Sequence, residues 1–123
     1  IDFNNPFLRS RIWLPSGRVS ASNFGEDLPT GAKTPHDAHG HGTHISGIIL
    51  GLFPQAKIYP LKYYNPKASG QMNLQYFQQA ISLAIKAKVD IINISGGGPE
   101  ASLEELELIK EAKRKNILVV SAG

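Results

Sequence analysis

Two short apolar runs constrain this chain more than anything else in it. VDIINIS (residues 89–95) and ILVVSAG (117–123) are nearly continuous in Val, Ile and Leu, without the alternation of a half-wet strand. Runs of that kind are expected in strands buried on both faces of a parallel sheet. Parallel neighbours need a crossover, usually a helix. The stretch between them supplies one. Ser102 and Glu105 in SLEE have the spacing of a capping box, acids fill the first turns, bases fill the last, and Asn116 offers a stop. Before the first run, NLQYFQQAISLAIKAK (73–88) sets Leu74, Phe77, Ala80, Ile81, Ala84 and Ile85 on one helical face, with Asn73 as its N-cap. KIYPLKY (57–63) reads as a further strand, and Pro60 directs it to an edge or an irregular pairing. Strand, helix, strand, helix, strand predicts the α/β class: a parallel β-sheet with helices on both faces, three layers in the order αβα. Ligands of such sheets sit outside the carboxyl ends of the strands. Those ends are SGGG (95–98) and SAG (121–123).

The first third is less explicit. Residues 1–36 are rich in Pro, Gly, Asn and Ser, and RIWL (11–14) alone suggests a strand, with loop expected around it. THISGIILGLF (43–53) reads as a helix ended at Pro54. Gly47 and Gly51 lie one turn apart on it, a stripe that allows a neighbouring backbone to come close. The length of 123 residues suits one domain. No apolar run reaches the roughly 18 residues of a membrane span, and no signal peptide is visible in IDFNNPF. With no cysteine, disulfides, thiolate nucleophiles and zinc–cysteine clusters are excluded. The net charge of +3 is scattered, and the densest basic run, KEAKRK (110–115), falls where cations suit a helix end. No nucleic acid or membrane partner is expected.

Three of the four histidines crowd into DAHGHGTHISG (37–47). Metal ligation, acid–base catalysis and a structural role compete for them. His39, His41 and His44 lack the i, i+4 pair of a helical HExxH site, although His39 and His41 could converge from an extended segment with Asp37 nearby. A histidine on a loop before a helix, with small residues around it, can offer an imidazole for proton transfer near neutral pH. GGGPEA (96–101) formally fits GxGxxA, but no acid stands at the end of the next strand as a dinucleotide site requires.

Several motifs in the right order resemble those of the subtilisin-like serine proteases, the subtilases. HGHGTHISGIILG is similar to their histidine motif, HGTHVAG. PQAKIYPLKYY resembles the strand after the histidine helix, ASGQ (68–71) the substrate-strand turn, VDIINISGGGP the run DVINMSLGGP, and ILVVSAG the strand ending AAG. IDFNNPFL resembles the run IDxxHPDL that follows the aspartate motif. The resemblance covers both ends of the chain and is loose over residues 9–35.

The resemblance implies an incomplete fragment of a subtilisin-like fold, with residues 1–123 belonging to a single peptidase domain. It implies a serine endopeptidase using a Ser–His–Asp triad, the alternative being a non-catalytic peptide-binding pseudoenzyme of the same fold if the parent protein lacks the serine. His41 matches the catalytic histidine, general base and then general acid. His44 matches a structural histidine, His39 has no required counterpart, and Asp37 matches a polar loop residue that shapes the approach to the motif. Ser95, Gly96 and Gly97 match one substrate-binding strand, and Ser69, Gly70 and Gln71 the strand opposite. An extended peptide between them would be the substrate, held by strand addition. Asp2 falls past the catalytic aspartate and reads as a turn acid. The aspartate motif belongs before Ile1, the oxyanion asparagine after Gly123 and the serine motif further on. The isolated chain is therefore expected to be inactive, and to self-associate or require the rest of the domain. No cofactor or metal is expected. NPFL departs from HPDL, and residues 47–54 are too short for the family's calcium loop, so calcium would bind only elsewhere in the parent protein. Secretion is the family habit, and the chain carries no address of its own.

Overall fold

A computed structural model describes residues 1–96 and 102–122, which fall in two compact units, Ile1–Tyr63 and Tyr64–Gly123. The class is α/β, with four helices and small parallel sheets among the described residues.

The first unit holds α1 (Pro6–Arg11), β1 (Glu26–Asp27), α2 (His41–Leu52) and β2 (Leu61–Lys62). Loop was expected where α1 lies. Its cause is local: Asn5 accepts hydrogen bonds from the amides of Phe7 and Leu8, and Pro6 occupies the first turn, where a missing N–H costs nothing. RIWL contributes one bridge instead of a strand. Ile12 pairs in parallel with Ile58, through Trp13 N to Ile58 O at 2.8 Å and Ile58 N to Arg11 O at 2.8 Å. The KIYPLKY segment then changes partner, and Leu61–Lys62 pairs in parallel with Glu26–Asp27. Pro60 sits at the change. It donates nothing, and its carbonyl takes the amide of Glu26 at 3.0 Å.

Leu8, Ile12, Leu14, Phe24 and Leu50 form the core of this unit, with Phe3 stacked on Phe24 at 4.4 Å between ring centroids. Leu50 lies on α2, so this core anchors the helix that carries the histidine motif. Gly25 is buried with φ of +153°, and a Cβ there would come within 2.5 Å of the Pro60 carbonyl oxygen and 2.7 Å of Pro35 Cγ. The acceptor of the Glu26 amide would have to move. Gly25→Ala is expected to cost about 1–3 kcal/mol of stability. Urea denaturation of the intact protein measures it, and an unchanged midpoint would contradict the close approach.

The second unit holds α3 (Gly70–Lys86), β3 (Ile91–Ile94), α4 (Leu103–Arg114) and β4 (Leu118–Ser121). β3 and β4 pair in parallel, Ile91 with Leu118 through Ile94 with Ser121. The capping box at α4 is formed as expected: Glu105 N donates to Ser102 Oγ at 3.0 Å and Ser102 N to Glu105 Oε2 at 2.9 Å. Asn116, with φ of +59°, ends the helix. Burial of the strands differs from the expected two-sided pattern. Ile92 is 7% exposed, whereas Ile91 and Leu118, paired on the other face, are 56% and 59% exposed. An apolar run records that a strand can be covered on both faces, and within these residues one face is.

Candidate active site

The histidine motif begins at a turn. Gly40 stands at the N-cap of α2 with φ of +95°, a left-handed conformation that glycine adopts without penalty. Having no side chain, it caps nothing, and the first amides of α2 need an acceptor from elsewhere. Asp37 provides it. Oδ1 accepts from the amides of His39 at 3.1 Å and Gly40 at 2.6 Å, and Oδ2 from the amide of Thr43 at 2.8 Å and its hydroxyl at 2.5 Å. Thr43 Oγ1 in turn accepts from the amide of Asp2 at 2.8 Å. The Asp37 side chain is 9% exposed. A negative charge here also faces the positive end of the helix dipole.

His41 is the first residue of α2, one place further into the helix than a loop position, and it is exposed. Its ring lies edge-on to that of His39, with centroids 6.3 Å apart. Among the described residues no three acidic or histidine side chains gather as metal ligands. Asp2 is a turn acid whose Oδ1 accepts from the amide of Asn4 at 2.9 Å. Among the described residues Gly47 and Gly51 face open space, and no backbone comes close to this stripe of small residues.

A second arrangement pins the same loop further upstream. Asp27, buried on β1, pairs with Lys62 of β2, Oδ2 to Nζ at 3.1 Å. The same ammonium donates to the carbonyl of His36 at 3.1 Å. His36 is also held edge-on against Phe24 at 5.3 Å. Lys62 and Thr43 thus hold the loop before His41 at its two ends, and neither stood out in the sequence. The signal available was an aspartate three residues before a glycine at a helix start.

Burial pushes the Asp37 carboxyl up, but the hydroxyl of Thr43 and the amides of Gly40, Thr43 and His39 outweigh it and hold the acid well below the usual carboxylate range. In the unfolded chain Asp37 takes up its proton near pH 3.9. Below that pH the unfolded state binds the proton and the folded state does not, so the stability Asp37 confers is intact at neutral pH and lost progressively in acid. The gap in unfolding midpoint between wild type and Asp37→Asn is expected to narrow as the pH falls below about 4. Thermal melts of both proteins at neutral and acid pH measure it, and a constant gap would show that the carboxylate is not held ionised.

Residues 1–123 match the profile of the subtilase family, peptidase S8. The chain belongs to the subtilase family. An intracellular serine protease of Paenibacillus polymyxa is 35% identical over 99% of this chain and 38% of its own length. The major intracellular serine protease of Bacillus subtilis strain 168 is 30% identical over 99% of this chain and 39% of its own. Subtilisin DY of Bacillus licheniformis is 30% identical over 80% of this chain. This subtilase chain therefore spans less than two fifths of these relatives.

The residues matched to the family's substrate strands lie in the second unit. Ser95 and Gly96 follow β3 and are half-buried, and Asn93 Nδ2 donates to Ser95 Oγ at 2.7 Å. Gly97 lies outside the described residues, as does most of GGGPEA. The expected strand at Ser69, Gly70 and Gln71 is corrected. Ser69 is the N-cap of α3, accepting from Met72 N at 3.2 Å, and Gly70 and Gln71 are in the first helical turn. Ser69 keeps an extended backbone, with φ of −65° and ψ of 161°. Asn73, expected as the cap, instead ties down the preceding turn through two hydrogen bonds with the backbone of Asn65. Among the described residues no hydrogen bond joins the Ser69 segment to the Ser95 segment.

Proposed function

We propose that the protein carrying this chain is a serine endopeptidase of the subtilisin type, with His41 as the base that activates a serine. The observation that carries this reading is the placement of His41. It is exposed on the first turn of a helix whose start is fixed by a charge-assisted network, within a motif that the subtilase match covers. An imidazole so presented can take a proton from an alcohol and return it to a leaving amine. Its substrate is an extended peptide. Ser95, Gly96 and Gly97 bind one side of it and Ser69, Gly70 and Gln71 the other; Ser69 pairs through its extended backbone, whereas Gly70 and Gln71, in the first turn of α3, contact it without strand pairing. No cofactor or metal takes part at His41.

Residues 1–123 form part of one peptidase domain, a reading supported by the unbroken family match through both units. On their own they are expected to be inactive, because the serine motif that the family resemblance pairs with His41 is not among these residues. They also leave apolar side chains such as Leu52, 84% exposed, open to self-association or to the remainder of the domain. A fluorophosphonate probe applied to the intact protein tests the assignment. Covalent labelling of one serine is expected, and an intact, folded protein that takes no label is not this kind of enzyme.

A further inference from the structure

Granted that His41 is the catalytic base, we infer that Asp37 is the positioning residue that holds it in place, acting through Thr43. An ordinary N-cap side chain sits next to the helix and satisfies an amide of the first turn. Asp37 is three residues further out and uses both oxygens. One binds the amides of His39 and Gly40, just before His41, and the other binds Thr43, just after it. The backbone of His41 is therefore bracketed on both sides by one partly buried carboxylate. Gly40 makes the bracket necessary, because its left-handed turn leaves the helix without a cap of its own. Thr43 completes it, receiving Asp2 N at its hydroxyl oxygen while donating that hydroxyl to Asp37. Slack in this bracket would swing the imidazole away from its partner without touching the groups that bind peptide.

The chemistry of the carboxylate is specific. All four groups hydrogen-bonded to it are donors, so an ionised acid with acceptors on both oxygens fits, and the amide of asparagine does not. Asp37→Asn would turn an N–H₂ toward two of those donors. Thr43→Val removes a single hydroxyl and keeps the shape, whereas Thr43→Ser keeps the hydroxyl.

The test uses the intact protein and a chromogenic peptide, with kcat and KM measured separately and thermal melts confirming that each variant is folded. Asp37→Asn is expected to lower kcat by roughly 10²-fold, the scale of an ångström misplacement of a reacting group, with KM little changed. Thr43→Val is expected to lower kcat in the same sense by a smaller factor, and Thr43→Ser to recover most of what Thr43→Val loses. If Asp37→Asn does not fold, the two Thr43 variants decide. A folded Asp37→Asn enzyme with wild-type kcat overturns the inference. So does a loss expressed in KM alone, or a Thr43→Ser enzyme as slow as Thr43→Val. His41→Ala run alongside separates this from the assignment itself. If His41→Ala retains activity the base has been misassigned, and if it is inactive while Asp37→Asn is normal only the positioning role fails.

Discussion

Replacing His41 with alanine in the intact protein is expected to abolish labelling by a fluorophosphonate and to lower kcat by a factor on the order of 10⁶, the scale known for the triad histidine of subtilisin itself. The reason is chemical. A serine hydroxyl is a weak nucleophile at neutral pH, and it becomes effective only when an adjacent base takes its proton as it attacks. The side chain of His41 is exposed on α2, is not part of the core around Leu50 and Phe24, and holds no hydrogen bond among the described residues. Its loss should therefore leave the unfolding midpoint near that of the wild type, so that inactivity cannot be blamed on misfolding. KM should change little, because peptide binding is assigned to other residues. His39→Ala is the control on the neighbouring ring, which lies 6.3 Å away and has no part in the proposed chemistry. Full activity in folded His41→Ala would remove the reaction from this motif altogether.

The parts of this molecule legible in its sequence are those whose causes are local. The capping box at Ser102 and Glu105, the stop at Asn116 and the helix after the histidine motif each follow from a few adjacent residues, and each is present. Helix α1 had a local signal too, the Asn5–Pro6 pair, but six residues are too few to show a helical period. Asn73 and Ser69, one turn apart, are both good caps of α3 in isolation. What separates them is the turn at Asn65, which engages the Asn73 side chain and leaves the start of the helix to Ser69. The candidate site divides in the same way. His41 stands in a recognisable motif, whereas the grip of Asp37 and Lys62 depends on how the loop folds back over α2 and β2. No periodicity encodes such a closure, and nothing short of the folded loop shows which donors meet.

The largest effect on stability is expected at Phe24. Its side chain is fully buried, stacked on Phe3 and met edge-on by His36. Truncation to alanine removes a ring from a core shared with Leu8, Ile12, Leu14 and Leu50, and a shell of that kind closes only partly over the space left behind. A cost of roughly 3–5 kcal/mol is expected for Phe24→Ala, a large share of the 5–15 kcal/mol that holds a typical domain folded. Denaturant titration of the intact protein should show a lower midpoint with an unchanged slope. Phe24→Leu refills part of the volume and should cost markedly less. The consequence for the site follows from position. Phe24 supports His36, whose carbonyl receives Lys62, and it shares a core with Leu50, which seats α2. Loosening that core frees both ends of the segment that carries His41, so activity in Phe24→Ala should fail on warming before the protein unfolds as a whole. If instead activity and folded fraction decline together at every temperature, the core supports the fold alone and has no separate hold on the histidine loop.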